Sequence, residues 1–202
     1  MALSNYGELK TEIANFLNRD DLTSSIPSFI AMAEASIGRD LRHWRQQKRV
    51  TAGLDERFED LPSDWLEMVH VYLSDGTELE YASLAEIARR KILTNDQAGK
   101  PKVYTLNSGQ IEFIPAPDET YSVTLIYYAR VPAFVENDDT SWLLLQNPDV
   151  YLYGSLIHSA PFLQEDARMA TWAQLYSAAI SNLNMVSDRA EYSGGTLVMR
   201  NK

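Results

Sequence analysis

Three histidines and several close carboxylate pairs are the side chains whose type and spacing could do chemistry in this sequence. His43, His70 and His158 could share a metal ion, since neutral imidazole nitrogen is a common ligand for divalent cations. They fall on different expected elements, so only the fold could gather them. His43, beside Trp44, reads as a helix-surface residue, and His158 as a contact within a helix hairpin. Asp64 with Glu67, or Glu165 with Asp166, could act as general acid and base. The simpler account has Asp64 completing the turn after Pro62 and Glu165-Asp166 favouring a helix start. Glu136, Asn137, Asp138 and Asp139 resemble a loose cation loop, but they lack the alternating ligands and central glycine of an EF-hand. Lys100 and Lys102 beside Tyr104 could form a stacking platform for nucleic acid, yet two cations are few in an acidic chain. Tyr127, Tyr128 and the stretch Tyr151 to Tyr153 could mark a contact face, although core packing claims most of them.

The phosphate-cradling glycine loops, the zinc-protease helix and the nucleophile elbow are all absent. There are no cysteines, which removes thiolate catalysis, disulfides and Cys-based zinc sites together. No catalytic residue, cofactor or metal is therefore expected. The net charge of −10 argues against binding nucleic acid by neutralising phosphates. No apolar run approaches the roughly 20 residues that span a bilayer, and the N-terminus lacks a signal-peptide pattern. A soluble chain made in the cytoplasm is expected.

The elements that must position these residues fall into two kinds. Near the N-terminus, Asn5 and Glu8 have capping-box spacing, and Tyr6, Leu9, Ile13, Phe16 and Leu17 then share one helix face. A longer helix starts near Ile26 with Pro27 in its first turn. Its stripe is Ile26, Phe29, Ile30, Ala33, Ile37, Leu41 and Trp44, with Glu34, Arg39, Asp40 and Arg42 on the other face. Toward the C-terminus, Asn147-Pro148 signals a helix start, with the Asn side chain as cap, and this helix stops near Pro161. A second helix carries Trp172, Tyr176, Ala179, Leu183 and Val186 as its stripe. The short connection predicts an antiparallel helix hairpin, and the N-terminal helices are its partner.

Between the helical ends the period drops toward two. Strands are expected at 49–52, 57–59, 65–73 and 121–131. Asp75-Gly76 is a hairpin signal that should fold Thr77 to Tyr81 back onto the 65–73 strand. Ser83 caps a short helix, and Asn107-Ser108-Gly109 joins a second hairpin. The expected class is α+β: a helical bundle from residues 1–46 and 140–190, an inserted antiparallel β module at 47–139 with one short helix, and an extended tail at 191–202. In that tail an apolar run follows Gly194-Gly195, either as a frayed end or as a strand seeking a groove on another chain.

In order along the chain, YGELKTEIANFLNRDDL at the start, LPSDWLEM (61–68), PKVYTLNSGQIEFIPAP (101–117), LIYYARVP (125–132), NPDVYLYGSLIHSAPFLQED (147–166) and YSGGTLVMR (192–200) resemble the head-to-tail adaptor proteins of tailed bacteriophages. The resemblance implies a non-enzymatic virion protein in the neck, between portal and tail, made in the host cytoplasm. It implies a homo-oligomeric, dodecameric ring joining capsid to tail around a channel that DNA passes through without sequence-specific binding. The partners implied are the portal protein, tail or nozzle proteins and further copies of the chain, with no membrane. Thr196, Leu197, Val198, Met199 and Arg200 are the expected portal-binding tail, and Tyr151, Tyr153 and Trp172 the expected subunit interface. A tail-tube or completion protein, and a virion-associated hydrolase using Asp64 and Glu67, are the competing readings.

Overall fold

A computed structural model describes residues 3–93, 95–163 and 168–192. The class is α+β, and the chain divides into two compact units, one of residues up to Arg45 and from Val131 on, the other Gln46–Arg130.

The first unit is helical: α1 (Tyr6–Leu17), α2 (Ile26–Asp40), α4 (Trp142–Gln146), α5 (Pro148–His158) and α6 (Arg168–Tyr192). The Asn5 side chain accepts the Glu8 N–H at 2.9 Å, as its spacing predicts, but Glu8 closes on Ser4 N–H and Oγ, both at 2.7 Å, rather than on Asn5. Leu9, Ile13, Phe29, Ile30, Ile37, Tyr151 and Leu156 lie in one core. α5 is the helix the others surround, since Val150, Tyr151, Leu152, Gly154, Ser155 and Leu156 are all buried, the mark of a helix apolar on most of its circumference. A side-chain carbon on Gly154 would stand 3.2 Å from Ala33 Cβ and 3.3 Å from the Tyr176 ring, so glycine there sets how closely α2 and α6 approach.

Several expectations shift in this unit. Asn147 makes no side-chain cap. The capping oxygen is that of Ser141, which accepts the Leu144 N–H and opens α4, a short helix the sequence reading omits. On α6, Trp172 is buried and Val186 is 52% exposed, with Ile180 and Ser187 inward instead. Ser187 is drawn in because its Oγ accepts the Trp44 N–H at 2.8 Å. Trp44 is itself outside α2, in a 3-10 turn over Trp44–Gln46. Residues 131–139, assigned by sequence to the inserted module, pack with the helices: Phe134 stacks on Tyr6 at 5.5 Å and lies 5.0 Å from Tyr151.

The second unit holds two sheets. One has the order β1 (Gln47–Leu54), β7 (Tyr121–Ala129), β3 (Trp65–Leu73), antiparallel throughout with the longest expected strand at its centre. The other has the order β2 (Phe58–Asp60), β6 (Gln110–Ile114), β5 (Val103–Asn107), β4 (Glu80–Tyr81). Leu54, Val71, Leu73, Ile111, Phe113, Val123 and Leu125 share a core, and Ile87 of α3 (Leu84–Leu93) joins Ala82, Val103 and Ile114 in a smaller one. The β5–β6 turn has Ser108 and Gly109 at φ 52° and 83°, the paired positive values a tight two-residue hairpin needs. The Asp75-Gly76 turn forms too, but the return is brief. After the bridge from Glu78 to Tyr72 and the bond from Leu79 N–H to Val71 O, the chain leaves for the other sheet. There β4 runs parallel to β5, so the module is mixed rather than wholly antiparallel.

Candidate functional site

The groups that could do chemistry are spent on structure. His43 is buried rather than on the surface, its ring 5.5 Å from Trp44 and 5.1 Å from Trp142. Its Nδ1 accepts the Arg45 N–H at 3.2 Å, and burial, then the Arg45 charge, lowers its pKa. His158 sits 3.1 Å from Ser36 Oγ, with its pKa lowered by burial and then by Arg39. It is a contact between α5 and α2, whereas the sequence reading puts it inside the hairpin. His70, in the β unit, faces Glu78 at 3.1 Å. Among the described residues no three His, Cys, Asp or Glu side chains are grouped to hold a metal ion.

Asp64 is a strut. Its carboxylate pairs with Lys48 and accepts the Tyr127 hydroxyl at 2.9 Å, and its peptide oxygen accepts the Arg130 N–H at 2.7 Å. The Lys48 contact holds its pKa below the ordinary carboxylate value, while burial, with Asp64 alongside, pushes Tyr127 up to about 12. A general acid at neutral pH needs a raised value, so this carboxylate is tuned the wrong way for that work. Glu67 stands beside Tyr128 in the β3–β7 register.

The 136–139 loop is likewise structural. Asp139 Oδ2 accepts N–H groups of Val135 and Glu136 at 2.6 and 2.8 Å, which lower its pKa, and the carbonyls of Asp139 and Asn137 accept from Tyr6 and Gly7. That loop seats on the start of α1, where an open groove of about 870 Å³ is edged by Lys10, Thr11, Pro27 and Asn137. Lys100 bonds to Asp75 and, at 2.8 Å, to Thr77 Oγ1, while Tyr104 is buried edge-on to Tyr81. No stacking platform results.

Of the expected interface aromatics, Tyr151 is 1% and Trp172 5% exposed, and only Tyr153 is half-buried. Burial pushes the Tyr151 hydroxyl up to about 12. Thr196, Leu197, Val198, Met199 and Arg200, and the Glu165-Asp166 pair, lie outside the described residues.

Sequence reasoning also misplaced a carboxylate that the fold uses. Glu34, read as a solvent-face residue, is half-buried, and its Oε1 accepts the Phe134 N–H at 2.9 Å; burial raises its pKa. The available signal was its position on α2 next to Ala33 and one turn before Ile37, at the flank of the apolar stripe.

The family model described as SU10 adaptor protein matches residues 4–200. The chain therefore belongs to this family of phage head-to-tail adaptors. It is a phage structural adaptor, of the virion neck, and its family acts among portal and tail components. No curated protein matches it. No helix among the described residues is long and apolar enough to cross a membrane.

Proposed function

We propose that this chain forms a ring, dodecameric as in the adaptors it resembles, below the portal, joining capsid to tail and leaving a central passage for DNA. The family match over residues 4–200 carries this reading. The helical unit acts as the bundle at the adaptor core, and the β unit is an insertion presented to tail or nozzle proteins. The 191–202 segment is an extended tail. Its Thr196, Leu197, Val198, Met199 and Arg200 bind the portal, each weakly, with the ring multiplying the contacts. Tyr153 is the member of the aromatic set Tyr151, Tyr153 and Trp172 best able to meet a neighbour, because it alone keeps appreciable exposure. Net acidity lets DNA pass without being gripped. No bond is made or broken.

Deleting Gly194 to Lys202 is expected to abolish binding to purified portal rings while leaving the melting curve unchanged. Unchanged binding would remove the tail from the contact. Electron microscopy of the particle neck tests the ring itself, and a position farther along the tail would favour a completion protein instead.

A further inference from the structure

The outer faces of α2 and α6 are short of charge. From Met169 to Ser187 no side chain is charged, and from Leu22 to Gly38 the sole charge is Glu34, which is occupied internally by Phe134. In a chain with 23% charged residues, exposed helix faces normally carry many of them. Here Leu175, Ala178, Asn182 and Met185, spaced three, four and three, are all exposed on α6. They form a line beside the inward stripe of Trp172 and Ile180. On α2, Ser28, Ala31, Met32 and Ala35 are exposed at the same kind of spacing.

Resting on the ring reading above, we infer that these faces are the two halves of one subunit contact, with α6 of each copy seated on α2 of the next. Copies that each carry −10 repel one another, and the core of an interface is depleted of charge; two neutral helix faces meet both conditions. Alanines at 31, 35 and 178 let helix axes approach to about 8 Å, and the spacing on α6 suits side chains set between those of a facing helix. The charges at the ends of the lines are complementary. The α2 line runs into Arg39 and the α6 line into Asp188, both exposed and neither in an ion pair among the described residues. A parallel alignment of α2 with a neighbour's α6 brings these unlike charges together. Because two different surfaces of one chain are used, the contact is head-to-tail and can close into a ring.

The absence of cysteine makes the test direct. Phage particles assembled with the double variant Ala31→Cys, Ala178→Cys are treated with a short bismaleimide, and the neck protein is resolved by size. The expected result is a ladder of dimers, trimers and higher multimers from the double variant, with no ladder from either single variant. Variant protein present in the neck without a ladder would overturn the contact, as would dimers from Ala178→Cys alone, which require α6 to meet α6. Should the first pair be excluded from particles, Met32→Cys with Met185→Cys on the same faces gives the same readout. Absence of the wild-type chain from the neck defeats the adaptor reading itself, an outcome distinct from a missing ladder.

Discussion

At Gly154 α5 comes close to both α2 and α6, and its lack of a side chain is a packing requirement. Alanine in a helix is ordinarily favoured over glycine by about 0.5–1 kcal/mol. At 3.2 Å from Ala33 Cβ that gain is offset by crowding. Gly154→Val, which adds volume with nowhere to go, should cost about 1–3 kcal/mol, read as a lower denaturation midpoint. Glu34 makes a prediction of the opposite kind. Its folded pKa lies above the ordinary value of 4.5 because burial disfavours the charge. Stability from its protonated form is full below the unfolded pKa and is lost as pH rises from there through the folded value. Glu34→Gln keeps an acceptor for Phe134 N–H without the charge. Its stability relative to the wild type should therefore improve in denaturant titrations as pH rises from 4 through the folded pKa of Glu34, and level off above it. A difference that does not change as pH rises from 4 would mean that Glu34 ionises without cost.

At the scale of elements, short-range chemistry decided which parts of the fold could be read in advance. The Asn5 cap was legible because it spans three residues, and Asn5→Ala should cost about 1 kcal/mol in a thermal melt. The β3 strand lies where alternation and β-branching place it, and Ser108-Gly109 makes the expected hairpin. Misreadings occur where two local choices look alike and a distant atom decides. Val186 and Ser187 are adjacent candidates for the inward line of α6, and a Trp44 N–H far away in sequence selects Ser187. After Gly76 a full hairpin strand and a brief one share the same turn, and pairing with β5 draws β4 away. His43 has a neighbouring tryptophan in sequence, but its second one, Trp142, comes from tertiary packing. As for the candidate site, the lack of cysteine was readable from composition and the lack of catalytic motifs from residue order, while the fate of Tyr151 and Glu34 depended on packing around α5 and the 131–139 segment.

At the scale of the whole molecule, each unit has its own apolar core, made of its own residues. A piece spanning Gln46–Arg130 should consequently fold alone, with a single cooperative transition followed by circular dichroism; a flat, unstructured trace would show that it depends on the helices. The register makes such an excision plausible, because Gln47 at the start of β1 lies opposite Tyr128 near the end of β7. Paired residues on antiparallel strands are only about 5 Å apart, so the chain enters and leaves this unit through neighbouring doors. A cassette with adjoining ends can be lengthened, replaced or deleted by one splice without pulling its host open. The β1–β7 pairing is thus a seam along which this unit can be exchanged while the helical scaffold is kept.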